Sequence, residues 1–340
     1  MAQINKPTDY FNTVLYSGTG SSNSVTGVGF QPDWTWIKSR NNTRNHNVYD
    51  SVRGTTKVIY TDLADAESTQ ASGLTAFNSD GFTVVSDLGV NGASDNYASW
   101  NWLAGGTASS NTDGTITSSV SANQTAGFSV ATWTGAGAAG TVGHGLGKAP
   151  EFVITKKRNN AGNWNCYHAS LGSTKYIYLN SSNAPATNSG RWNDTDPTSS
   201  VMSLGTDDNL TGNGDNIIGY FFTSIKGYSK VGQYSGNSNT DGSMLYLGFK
   251  PSFIIIKDIT STDPWHIIDA KRNTVNVMNA RLFPNTSGAE STSTNICDFL
   301  STGIKFRGTN DGFNGSRTYI YMAIAEQPLV GTNNIPATAR

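Results

Sequence analysis

The stretch Gly29-Phe30-Gln31-Pro32-Asp33-Trp34-Thr35-Trp36-Ile37-Lys38 decides the fold, because its pattern returns twice. Gly145-Leu146-Gly147-Lys148-Ala149-Pro150 leads through Phe152-Val153-Ile154-Thr155 to Lys156, and Gly248-Phe249-Lys250-Pro251 leads through Phe253-Ile254-Ile255-Ile256 to Lys257. The lysine lies six residues past the proline each time. Proline cannot donate to a β-ladder, so it suits a strand's first residue. The β-branched and aromatic run behind it reads as a strand buried on both faces. The lysine at its end reads as one that snorkels to water.

The register holds outward from these lysines. Eight residues past them stand His46, Trp164 and Trp265; twelve past stand Asp50, His168 and Asp269. Sixteen past stand Gly54, Gly172 and Asn273, residue types that tolerate positive φ and mark a turn. Upstream, Tyr16-Ser17-Gly18, Trp133-Thr134-Gly135 and Tyr234-Ser235-Gly236 occupy one column, and Tyr97 to Trp102, Ile217 to Phe222 and Tyr319 to Ile324 another. This spacing predicts three tandem homologous units over 1–104, 127–226 and 227–325. Between the first two lies a Gly/Ser/Thr-rich linker, 105–126, and the chain closes with an arm, 326–340. Units of about 100 residues are too long for propeller blades and suit β-sandwiches, here expected to be jelly-roll-like.

Other stretches agree with an all-β class. Asn96 to Leu103 puts Trp100 and Trp102 on one face and Ser99 and Asn101 on the other, the period of a half-buried strand. Asp80-Gly81, Asp113-Gly114, Asp241-Gly242 and Asp311-Gly312 are turn signals. The single helix expectation covers Asp62 to Gln70, with Thr61 as its cap.

Composition bounds the partners. The 340 residues carry 23 Lys+Arg and 24 Asp+Glu, a net charge of −1, so no positive field gathers nucleic acid or an anionic membrane. No apolar run approaches the roughly 20 residues of a membrane span. The opening Met1 to Pro7 lacks the apolar core of a secretory signal. Cys166 and Cys297 read as free thiols.

The most suggestive chemistry lies at His46, Tyr49 and Asp50, at Trp164, Tyr167 and His168, and at Trp265 and Asp269. Aromatic rings beside Asp, His or Asn suit stacking on a sugar and bonding its hydroxyls; a core position on a repeated strand is the alternative reading. Alternation places Trp164 and Cys166 on one face and Tyr167 on the other. Four histidines spread over three units give no zinc site, and no metal or cofactor is expected. The loop Asp207 to Asp215 partly imitates a calcium loop but has Ile218 at its closing position, and reads as a solvated hairpin. The chain carries no GxSxG, HExxH or P-loop, and His168 interrupts the Asp50/Asp269 column, so no catalytic residue is assigned.

Tyr10-Phe11-Asn12-Thr13, Gly27 to Lys38, Tyr49 to Gly54 and Asn78 to Phe82 resemble the opening of an uncharacterised family of tailed-phage virion structural proteins, especially marine ones. Val142 to Pro150 and the ending Pro328 to Arg340 are similar to the same family. The resemblance implies a non-enzymatic, tail-fibre-like part of a virion, assembled in the host cytoplasm and bound to other virion proteins. It leaves three roles open: a tail appendage touching host surface polysaccharide, a capsid decoration protein, and a glycan-degrading enzyme. Phage fibres being usually trimeric, it implies a homotrimer; three tandem units in one chain would instead make a monomer sufficient.

Overall fold

The computed structural model describes residues 2–330. Its first segment contributes β1 (Phe11–Ser17), β2 (Asn23–Thr26), β3 (Trp34–Ser39), β4 (Asn47–Asp50), β5 (Lys57–Tyr60), β6 (Ser68–Thr69), β7 (Leu74–Asn78), β8 (Gly81–Val84) and β9 (Asn96–Trp102). The second runs through β10 (Ser109–Asn111), β11 (Ser118–Asn123), β12 (Phe128–Thr134), β13 (Gly140–Gly143), β14 (Phe152–Lys157), β15 (Asn165–His168), β16 (Lys175–Tyr178), β17 (Ala186–Thr187), β18 (Val201–Leu204) and β19 (Asn216–Phe222). The third holds β20 (Ser229–Ser235), β21 (Met244–Tyr246), β22 (Phe249–Asp258), β23 (His266–Asp269), β24 (Cys297–Leu300), β25 (Gly303–Phe306) and β26 (Thr318–Pro328). The protein is all-β.

Each segment folds as two packed sheets. The larger sheets share one order: β1-β9-β3-β4-β5-β6, then β12-β19-β14-β15-β16-β17 extended by β11 and β10, then β20-β26-β22-β23. The smaller sheets are β2-β8-β7, β13-β18 and β21-β25-β24. Strands β3 to β6 stay in one sheet as an antiparallel meander rather than crossing between sheets like a jelly roll. Pro32 and Pro150 precede β3 and β14, and Pro251 sits at a register shift in β22, where a missing N–H costs no ladder bond.

Three apolar clusters fill the space between the two sheets of each segment. A fourth joins all three segments: Trp34, Trp36, Trp100 and Trp102 meet Phe128, Phe152, Tyr220 and Phe222, and both groups meet Phe253, Ile255 and Met322. The larger sheets therefore face inward onto one shared core. Aromatic packing knits it: Trp34 stacks on Tyr220 with ring centres 4.5 Å apart, and Phe11 meets Phe253 edge-on at 5.3 Å.

Several expectations are corrected. Ser99 and Asn101 are buried, because the smaller sheet covers that face of β9. Lys38, Lys156 and Lys257 do not snorkel; each is fully buried. Residues 105–126 are not a bare linker, since β10 and β11 pair onto β12. Residues 326–328 complete β26 rather than starting an arm, and 331–340 lie outside the described residues. Asp62 to Gln70 is not helical. It stretches across the next segment, where Glu67 N–H donates to Arg158 O at 2.7 Å and Ala64 O accepts from Gly162 N at 2.8 Å. One-turn helices instead occupy Leu88–Asn91, Ser189–Trp192 and Asp208–Thr211.

Candidate functional site

The predicted cluster lies inside the molecule, where the segments meet. His46, Tyr49, Asp50, Trp164, Tyr167, His168, Trp265 and Asp269 are all buried. A sugar cannot stack on rings that present no face to water, so the glycan-contact reading of these eight residues is overturned, and the core alternative holds. Alternation sorts them further. Tyr49 and Tyr167 point into the core between their own two sheets, where Tyr167 OH reaches Asp196 at 3.4 Å. The others sit along the contacts between segments.

Those contacts run in one direction round the molecule. Trp164 Nε1 donates to Tyr60 O and Trp265 Nε1 to Tyr178 O, each at 2.8 Å, the third segment repeating on the second what the second does on the first. His46 holds this column in the first segment and accepts from Trp36 Nε1 at 2.9 Å through Nδ1. One backbone bond recurs at all three junctions: Gly162 N to Ala64 O, Asp263 N to Ser182 O, and Arg44 N to Ser287 O, at 2.8, 2.9 and 3.0 Å. The three segments thus close a ring.

Two junctions carry a chain of charges, buried at its Asp–Arg pair and half-buried beyond it. Asp50 accepts from Arg53 Nε at 2.5 Å and from Tyr220 OH of the second segment at 2.8 Å. Arg53 Nη1 donates to Glu67 at 3.1 Å, and Glu67 takes a two-pronged bond from Arg158 at 2.9 and 3.0 Å. Between the third segment and the first, Asp269 accepts from Arg272 at 2.5 Å and Trp100 Nε1 at 3.0 Å, Arg272 reaches Glu290 at 3.0 Å, and Arg40 grips Glu290 at 3.1 and 2.8 Å. Burial works to lower the Arg53 guanidinium; Asp50, Tyr220 and Glu67 outweigh it and hold it above its ordinary value.

The junction between the second and third segments is built otherwise. His168 stands where the others have Asp50 and Asp269. Its Nδ1 accepts from Ser170 N at 3.1 Å, which leaves Nε2–H to donate to Tyr321 O at 3.2 Å. Burial pushes this imidazole down to about 4, so it is neutral at pH 7. By the same register Leu171 replaces Arg53 and Arg272, and Ile259 replaces Arg40 and Arg158; counted three residues past the junction carbonyls of Ala64, Ser182 and Ser287, Pro185 replaces Glu67 and Glu290. Leu171 and Ile259 pack against the shared core.

Of the three buried lysines, Lys156 and Lys257 reach across to the neighbouring segment, while Lys38 bonds within its own. Lys156 Nζ donates to Lys157 O at 2.7 Å and to Ala64 O at 3.3 Å; Lys257 Nζ donates to Asp258 O at 2.7 Å and to Ser182 O at 3.2 Å. Lys38 Nζ bonds Ser39 O at 2.7 Å. Burial lowers all three to about 8.

The residues that sequence reasoning missed are Arg53, Glu67, Arg158, Arg272, Glu290 and Arg40. A signal was present: Asp50-x-x-Arg53 and Asp269-x-x-Arg272 share one spacing, and Arg40 and Arg158 both lie two residues past the column lysine. In the calcium-like loop, Asp207 caps a helical turn through Asn209 N at 2.9 Å and pairs with Arg191 at 2.6 Å, while Asp215 pairs with Lys157 at 3.0 Å. Two of its three carboxylates, Asp207 and Asp215, are thus already engaged. Among the described residues no three His, Cys, Asp or Glu side chains converge on a metal position.

Fold and site define an all-β protein of three sandwiches closed on one core, with polar chemistry spent on holding them together. Residues 6–328 match the domain of unknown function DUF7483, and the chain belongs to that family. No curated protein matches it.

Proposed function

We propose that this chain is a structural subunit of a tailed-phage particle, a tail appendage that acts without catalysis and is held by contacts with other particle proteins. The observation that carries the reading is the closed ring: the ionisable and aromatic side chains best suited to chemistry are buried and bonded across segment junctions. Such a construction stiffens a block of protein and leaves its outer surface for assembly. The phage assignment is supported by the resemblance described above. Contact with host polysaccharide is not assigned to the eight buried residues.

A second reading, capsid decoration, is favoured by one patch. Met244, Tyr246 and Val330 are exposed, and Tyr246 and Val330 lie together beside Ala2, Gly227 and Leu329. Exposed apolar surface gathered at one end suits a flat protein contact. Immunogold labelling of intact particles with antibody to this chain separates the outcomes. Label on the tail is expected. Label over the head replaces the appendage by decoration, and particles that carry none overturn both.

A further inference from the structure

The inner sheets have three equivalent outer edges, and they are finished differently. In the second segment the edge strand β12 is covered by β11, with Ser121 opposite Val130 and Ser119 opposite Thr132. In the third, the edge strand β20 is covered locally: Ser229 exchanges backbone bonds with Ile225, Val231 N donates to Ser224 Oγ, and Ser235 O accepts from Ser243 Oγ. In the first, β1 has β9 on one side and, among the described residues, no strand on the other.

The register shows which groups this leaves open. Tyr10 O accepts from Leu103 N and Gly18 N donates to Asp95 O. Antiparallel pairs alternate, so Asn12, Val14 and Tyr16 bond β9, and Phe11, Thr13 and Leu15 turn their N–H and C=O outward. A cleft of about 450 Å³ lies at the start of this edge, lined by Phe11, Asn12 and Thr13 of β1 and by Ser252, Ala270 and Lys271 of the third segment. Thr13 lines the cleft, is 4% exposed, and its buried hydroxyl has no partner among the described residues. A buried polar group without a partner is costly and points to something that would satisfy it. Further along, Leu15 is 37% exposed. Strand β1 also carries no lysine, proline or bulge, the devices by which exposed edges are usually blunted.

We propose that the edge of β1 is a strand-addition site for an extended, uncharged, small-residue segment of another protein, bound antiparallel. Segment two supplies the template for the occupant. There the covering strand is Ser118-Ser119-Val120-Ser121-Ala122-Asn123, and by the register Ser121 would face Thr13 and Ser119 would face Leu15. Small side chains are required because the third segment's Ala270 and Lys271 wall the cleft, as Ser51 and Val52 flank Ser119 in segment two. Main-chain bonds supply affinity in this mode of recognition, and the alternate side chains supply selectivity.

The test is amide hydrogen exchange at single-residue resolution on the full chain, with a synthetic peptide of residues 115–124 in large excess as the surrogate strand. Exchange at Thr13 and Leu15 is expected to slow by about tenfold or more. A peptide carrying S119P and S121P lacks the two donors and should leave both amides unchanged. Equal exchange with and without the peptide, or equal effects of the two peptides, overturns the proposal. So does slowing that occurs only after residues 331–340 are removed, since the chain's own end would then be the occupant. Neither result depends on where particles are labelled.

Discussion

The junction between the second and third segments and the junction between the third and the first occupy equivalent places and use opposite chemistry. One joins Arg40, Asp269, Arg272 and Glu290 in an ionic chain; the other sets His168, Leu171, Pro185 and Ile259 at the equivalent positions. Both keep the backbone bond that ties the segments, Arg44 N to Ser287 O in one and Asp263 N to Ser182 O in the other. The backbone contact is therefore common, and the side chains are two solutions to one burial problem. A buried charge is tolerated only when paired, so the charges stand or are replaced as a set.

The sharpest way to break this comparison is to remove one member. Asp269→Ala takes from the buried Arg272 guanidinium its nearest carboxylate, leaving it to Glu290 and Ile267 O, and should cost about 3–5 kcal/mol. His168→Ala removes neutral hydrogen bonds and should cost about 1–2 kcal/mol. Denaturant midpoints of the two variants measure the difference; equal losses would erase the distinction between the junctions.

Acid should act on the histidine junction next. The folded His168 titrates at about 4, against about 6.5 for a free histidine. Between those values the unfolded chain binds the proton and the folded chain does not, so stability falls as pH drops from 6.5 toward 4. The contribution of this one group reaches about 3 kcal/mol. His46, His144 and His266 are also lowered by burial, so the wild type loses more than one histidine's share. H168Q should flatten the curve by its own share alone, read from thermal melts across that range; an unchanged curve would show that His168 is not the titrating group.

The smallest effect is expected from converting one junction into the other. R40I, D269H, R272L and E290L together remove the ionic chain while keeping the Glu290 N–H bond to Arg40 O, which a proline would delete. Apolar replacement of a complete buried ionic set is commonly neutral, so stability should stay within about 2 kcal/mol of wild type. A loss as large as that of D269A would mean that the ionic chain orders this junction beyond balancing its own charges.

The strands that the sequence marked out form where it placed them, because alternation and β-branching act locally. Trp100 and Trp102 point one way in β9, and Cys166 and Tyr167 point opposite ways in β15, as their spacing requires. The candidate site was legible as a column but not as a location. A Trp beside Asp or His reads equally well as a sugar platform or as a packed junction, and only burial distinguishes them. Its arginines went unread because their worth depends on partners far away in the chain. The stretch from Asp62 to Gln70 was misread for a related reason: its backbone bonds go to another segment, and helix signals describe only bonds made nearby.

The sequence alone determined the β class, the proline-to-lysine register and the residues that share each column. Tertiary structure decided that those columns face inward. Asp50 meets Tyr220 across 170 residues and Asp269 meets Trp100 across 169. Local propensity carries no term for such pairs. They exist because three apolar sheet faces are covered most completely by one another, and that choice is made only when the whole chain closes.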